Sequence, residues 1–234
     1  MESPLSLIAG GTGLVGSHVI KVLSKKSGAQ IILARSFNSE IPQNADLQII
    51  NFDSLSSNKV KLKNDIDHVY LCLGKRLSTH ELGYMQHSAR ESFKLIDFEY
   101  PLSIAKLAYD SGARSIALVS AVGAQEGSFN YYFHIKGKLE NEIKKIGYEN
   151  ICFARPGHLL GARKDFRGYE IPVLESGLRI AAPFMQGPLK NFRQIEARQV
   201  AEGMVMNMLD KQNGVSYLYL SLIHISEPTR LRRI

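Results

Sequence analysis

A short apolar run, Leu5 to Ala9, leads directly into Gly10-Gly11-Thr12-Gly13-Leu14-Val15-Gly16, and a helix-like stretch, Leu14 to Lys26, follows at once. Gly10, Gly13 and Gly16 have GxxGxxG spacing, and Gly11, Gly13 and Gly16 also satisfy GxGxxG. A chain built this way turns sharply after a strand. Its backbone can approach a ligand with no Cβ in the way, and the N–H groups of a helix start point at negative charge. The expectation is a dinucleotide-binding turn in which Gly10, Thr12, Gly13, Leu14, Val15 and Gly16 meet the cofactor. The bland alternative is a tight turn and nothing more.

Strand and helix signals alternate beyond this point. Ile31–Ala34, Leu47–Asn51, His68–Leu73, Ser115–Val119 and Asn150–Ala154 read as strands. Helical spacing runs from about Ser92 to Ser111, from Tyr131 to Ile146, where Gly147 can end the helix, and from Ala197 to Leu209. Short apolar strands separated by helices predict an α/β fold, a Rossmann-type doubly wound parallel sheet in one domain. Residues 156–196 are less regular and are expected to form a small substrate-side segment at the carboxyl ends of the strands.

The end of the second strand selects the cofactor. An NAD site usually carries an acid there for the ribose hydroxyls, whereas this chain has Arg35 and Ser36. Arg35 can pair with a 2′-phosphate, so NADP(H) is favoured over NAD(H), against the alternative of a solvent-facing arginine. Asp53 suits either the adenine edge or a turn.

Ser120 closes the fifth strand, and Tyr132 and Lys136 follow it. At i and i+4 the tyrosine and lysine share one helix face. With ten tyrosines in the chain, such a pair arises by chance, so location carries the argument. This is the only Tyr-x-x-x-Lys in the sequence, and it lies downstream of a strand-end serine and a glycine loop. The expected chemistry is hydride transfer coupled to proton transfer. Tyr132 would exchange the proton, Lys136 would lower the tyrosine pKa, and Ser120 would orient a carbonyl. The alternative is a surface aromatic beside a solvated lysine.

The net charge of +7 does not point to nucleic acid, because the basic residues are scattered except at the C-terminus. Residues 220–230 there, LSLIHISEPTR, agree in frame with the translation of a transposase-based sequencing adapter. Residues 220–234 are therefore set aside as non-native, leaving 1–219 as the domain. Without three arginines and one glutamate of that tail, the net charge falls to +5. Cys72 and Cys152 sit in apolar runs and read as buried thiols. No run spans a bilayer, no leader pattern is evident, and no residue spacing suggests a metal, so a cytoplasmic location is expected.

The stretches GGTGLVGSH (10–18), CLG (72–74), FKLIDFEYP (93–101), LVSAVGA (118–124), YFHIKGKLE (132–140) and ARPGHLLGAR (154–163) together resemble the Tat-interacting oxidoreductase family, a group of atypical short-chain dehydrogenase/reductases. The resemblance implies an NADP(H)-binding fold with Ser120, Tyr132 and Lys136 as catalytic residues. It also implies Leu73 and Gly74 along the cofactor and Pro156 and Gly157 beside the nicotinamide. Lys75 and Arg76 depart from the family's usual threonines and leave that loop's role open. Asp97 and Tyr100 match the family but read equally well as structural. Two functional classes follow. One is a reductase or dehydrogenase acting on a small carbonyl or alcohol, as a monomer or homodimer. The other is a non-catalytic NADP(H) sensor acting through a protein partner.

Overall fold

The computed structural model describes residues 4–26, 28–36, 41–57, 62, 65–160, 194–210 and 213–219. Residues 220–234, and most of the irregular segment assigned to the substrate side, lie outside the described residues.

The strands are β1 (Ser6–Ala9), β2 (Gln30–Ala34), β3 (Ala45–Ile49), β4 (His68–Leu71), β5 (Ser115–Val119), β6 (Asn150–Ala154), β7 (His158–Leu160), β8 (Gln194–Glu196) and β9 (Gly214–Leu218). The helices are α1 (Leu14–Lys25), α2 (Thr79–Gly83), α3 (His87–Lys94), α4 (Tyr100–Asp110), α5 (Tyr131–Lys144) and α6 (Ala197–Leu209). Seven strands form one sheet in the order β3-β2-β1-β4-β5-β6-β9, and every pairing is parallel. β7 and β8 form a separate parallel pair. The doubly wound α/β fold expected from the sequence is the fold observed.

The two-residue period of a strand divides the core in two. Leu7 and Ala9 of β1 point into a cluster with Phe93, Ile104, Leu139 and Phe153. Ile8, between them, packs with Val19, Ile20, Tyr70, Val200 and Met204 on the other face. Helices α4 and α5 cover the first face, and α1 and α6 pack on each other over the second. Both faces of the central strands are dry, which is why they read as unbroken apolar runs.

Connections leave β1 towards β2 on one side, and the chain returns at β4 on the other. This reversal opens a crevice at the carboxyl ends of β1 and β4, the usual ligand position in such sheets. The Cys72 N–H donates to the Ala9 carbonyl at 2.8 Å and holds the two strand ends together.

The helix expected from Ser92 to Ser111 is built differently. α3 runs into a π-helical segment, Leu95–Glu99, before α4 begins. Pro101 in the first turn of α4 has no N–H to give the carbonyl of residue 97, so the i→i−4 ladder is interrupted there. The Tyr100 N–H reaches back to the Leu95 carbonyl instead. β9 was not foreseen. It is an edge strand with alternately exposed residues, so it lacks the continuous apolar signature of the buried strands. Cys72 is half-buried and Cys152 buried, both as free thiols.

Candidate active site

The glycine loop has the geometry its spacing requires. Gly10 sits at φ +86°, where a side chain is strained, and a Cβ there would lie 2.6 Å from the Cys72 carbonyl group. The Gly13 N–H closes the turn on the Gly10 carbonyl at 2.9 Å. Gly13 is the N-cap of α1, and no side chain caps that helix. Its first N–H groups therefore face the loop with the positive end of the helix dipole behind them. Leu14, Val15 and Gly16 form the first turn, Val15 and Gly16 buried. The arrangement fits a pyrophosphate on chemical grounds: a backbone cradle without Cβ atoms, at an uncapped helix start.

A pocket beside this loop is lined by Gly10, Gly11, Thr12, Leu33, Ala34, Arg35, Ser36, Phe52 and Leu73. Arg35 and Ser36 are exposed at the end of β2, and the guanidinium lies 6.0 Å from the centre of the Phe52 ring. Among the described residues no carboxylate lines the pocket. Asp53 stands next to Phe52 in the first turn of a 3-10 helix, Phe52–Ser57, and its carboxylate accepts a hydrogen bond from the Tyr100 hydroxyl. Of the two readings held for Asp53, a turn acid is what the geometry displays. Asp53 itself is exposed and is not among the residues that line the pocket.

The structure brings Ser120, Tyr132 and Lys136 to one end of the sheet. Ser120 follows β5, anchored by its N–H to the Ala154 carbonyl at 2.8 Å. Its hydroxyl is buried and has no hydrogen-bond partner among the described residues. Asn130 caps α5 by accepting from the N–H groups of Tyr132 and Phe133. The Asn130 amide also donates to the Leu82 carbonyl at 2.8 Å, tying the start of α5 to α2. Tyr132 is half-buried in the first turn of α5 against Phe93, and Lys136 is buried one turn on. Gly137 lets α5 press on the preceding loop, since a Cβ there would meet the Gln125 carbonyl carbon at 2.3 Å.

The electrostatics differ from the sequence expectation. Lys136 Nζ pairs with Asp97 Oδ1 at 2.8 Å, and both side chains are almost fully buried. Burial works against the ammonium, but Asp97 and then Tyr132 hold its pKa above the ordinary lysine value. Tyr132 is not acidified. Burial raises its pKa, the pull of Lys136 works against that, and the Asp97 charge reinforces it. Lys136 pulls the tyrosine pKa down as expected, but burial outweighs that pull and the Asp97 charge adds a smaller push upward.

Leu73 and Gly74 follow β4 at the crevice, Leu73 on the pocket wall. A Cβ on Gly74 would lie 3.5 Å from Asp97 Oδ1. The Lys75 N–H donates to Asp97 Oδ2 at 2.6 Å and its ammonium to the Ser92 hydroxyl at 2.7 Å, so Lys75 belongs to this packing. Pro156 is buried and Gly157 half-buried beyond β6, and the Pro156 carbonyl accepts from the Val122 N–H at 3.0 Å. His134 bonds the Glu126 carbonyl. Sequence reasoning missed Asn130 and the Glu140–Arg155 pair, whose hydrogen bonds are 2.9 and 2.5 Å. A polar residue just before a helix is a readable cap signal, whereas the ion pair had no local signal. No group of residues able to hold a metal occurs among the described residues.

The model of the NAD dependent epimerase/dehydratase family matches residues 6–170. The chain belongs to this family. Among relatives, "Protein FMP52, mitochondrial" of Candida albicans is 29% identical over 201 residues, covering 84% of this chain and 85% of its own. "Protein HTATIP2" of Rattus norvegicus is 24% identical over 172 residues, covering 71% of this chain and 67% of its own. The resemblance to the Tat-interacting group drawn from the motifs therefore holds. Human epimerase family protein SDR39U1, solved with NADPH, shares the fold with a TM-score of 0.61 at 16% identity, covering 91% of this chain and 73% of that one. Epimerase/dehydratase membership supports the coarse functional expectation of an NAD(P)-dependent protein acting on small molecules. The cytoplasmic expectation is corrected: FMP52 relatives from several yeasts are named as mitochondrial proteins. No described helix is long and apolar enough to cross a membrane.

Proposed function

We propose that this epimerase/dehydratase family member is an NADPH-dependent oxidoreductase that reduces a small carbonyl compound, with residues 1–219 as one NAD(P)-binding domain. The observation that carries the reading is Ser120. A buried hydroxyl with no partner among the described residues has a free-energy cost unless a ligand completes it, and this one lies just past β5, the strand that the Tyr132–Lys136 helix follows.

NADPH, when bound, supplies the hydride. Gly10, Thr12, Gly13 and the first turn of α1 would hold the pyrophosphate, and Arg35 with Ser36 the 2′-phosphate. Leu73, Gly74, Pro156 and Gly157 would flank the nicotinamide end. Ser120 would donate to the substrate carbonyl oxygen and hold it in line. The protonated Tyr132 would pass its proton to that oxygen as negative charge develops, and solvent would restore it. Lys136 would stabilise the tyrosinate left behind.

The test is NADPH oxidation against a panel of aldehydes, ketones and quinones, with cofactor binding followed separately by fluorescence. Turnover that disappears in Tyr132→Phe while NADPH still binds is the expected result. Tight binding with no turnover of any carbonyl would replace this reading with the NADP(H)-sensor reading.

A further inference from the structure

One carboxylate lies where three parts of the site meet. Asp97 is carried by the π-helical segment that Pro101 forces between α3 and α4. Such bulges in otherwise α-helical stretches recur at functional sites. Asp97 is 1% exposed. One oxygen pairs with Lys136 Nζ at 2.8 Å, and the other accepts the Lys75 N–H at 2.6 Å. Gly74 packs beside the same carboxylate, a Cβ built there falling at an ordinary contact distance of 3.5 Å from Oδ1. The loop carrying Leu73 and Gly74, the π segment and the helix carrying Tyr132 and Lys136 are thus registered against a single side chain.

We propose that Asp97 is a positioning residue of the Tyr132–Lys136 pair, which fixes the lysine ammonium relative to the β4 loop and sets the net charge that Tyr132 faces. This rests on the reading of Tyr132 and Lys136 as the proton-transfer site. A buried ion pair is a poor way to gain stability, because desolvating both charges offsets most of their attraction. Its distinctive effect here is electrostatic. The charged groups facing Lys136 are Asp97 from the π segment and Tyr132 and Glu140 from α5. Glu140 is committed to Arg155. Those facing Tyr132 are Lys136 and Asp97. With Asp97 in place, part of the lysine's pull on the tyrosine is offset, and Tyr132, already raised by burial, stays a proton donor through the neutral range. With Asp97 neutral, the lysine would act on Tyr132 unopposed.

The experiment is a pH titration of ring-labelled tyrosine by carbon NMR in the full chain without cofactor, with the Tyr132 signal assigned by its loss in Tyr132→Phe. In the native protein Tyr132 should remain protonated beyond the ordinary tyrosine midpoint of about 10. Asp97→Asn should lower its midpoint by about 1–3 pH units, as expected for an unopposed neighbouring cation. Adding Lys136→Gln to that variant should bring the midpoint back up. A merely structural aspartate would not produce this pattern. A native Tyr132 that ionises near neutral pH, or an Asp97→Asn midpoint that does not move, overturns the proposal. If Asp97→Asn does not fold, the native titration decides by itself. Neither cofactor nor substrate is present, so a chain that reduces no carbonyl would still give the shift, and failure of the reductase reading remains distinguishable.

Discussion

A Cβ built on Gly16 would sit 2.2 Å from the carbonyl oxygen of Gly10. The first turn of α1 therefore rests on the backbone of its own loop with no space for a methyl group. Gly16→Ala should open that contact, lower stability by about 1–3 kcal/mol and weaken NADPH binding as the helix start moves off the pyrophosphate. Gly28→Ala is the control, because the nearest atoms to a Cβ there are 3.8 and 3.9 Å away. Urea unfolding and cofactor titration of both variants check this. Equal behaviour of the two would show that the loop tolerates displacement.

Arg35, at the end of β2, lines a pocket that has no carboxylate among its described residues. A charge-assisted bond to a 2′-phosphate contributes about 1.5–3 kcal/mol, on the order of tenfold to a hundredfold in affinity. The chain should bind NADPH more tightly than NADH by such a factor, and Arg35→Ala should remove most of the difference. Equal dissociation constants for both cofactors in the native chain would rule this out.

Ser120→Ala separates catalysis from stability. The hydroxyl is buried and has no partner among the described residues, so deleting it should leave the melting temperature unchanged or raised. Turnover should nonetheless fall, because the carbonyl loses its orienting donor. Tyr132→Phe should abolish turnover with NADPH affinity nearly intact, and Lys136→Ala should damage both. A Ser120→Ala chain that keeps full turnover would remove Ser120 from the site.

Alkaline pH should unfold the chain earlier than its composition implies. Burial pushes the Cys152 thiol from an ordinary 9.0 up to about 12, and Cys72 likewise. Tyr70 and Tyr148 are also raised by burial. A folded-state pKa above the unfolded one means the native chain holds its proton more tightly. Stability is then full below the unfolded value and declines as pH rises through the window. For Cys152 the loss is about 1.4 kcal/mol per pH unit between 9 and 12. Urea midpoints at successive pH values should fall across this range, and Cys152→Ala should flatten the slope. A flat profile above pH 9 would contradict the burial.

The amino-acid sequence alone determined whatever depends on near neighbours in the chain. The strand–glycine–helix order at residues 5–25 was legible because turn geometry and helix dipole are local. The positions of Ser120 after a strand and of Tyr132 and Lys136 one turn apart on a helix were legible because a strand end and an i, i+4 helix face are local too. The apolar runs of β1, β4, β5 and β6 gave the parallel sheet because burial on both faces leaves no polar alternation. β9 escaped because an edge strand is half wet. The π segment escaped because helical spacing survives one inserted residue, and only the missing Pro101 N–H marks the shift. The charge state of the site lay beyond the sequence altogether. Asp97 and Lys136 belong to different helices, and their 2.8 Å pair exists only once both pack beneath the same strand ends. The field at the half-buried Tyr132 depends on distances to the charges packed around it. Those distances are set by tertiary packing, and so the structure alone decided how far burial and the Asp97 charge offset the pull of Lys136 on Tyr132.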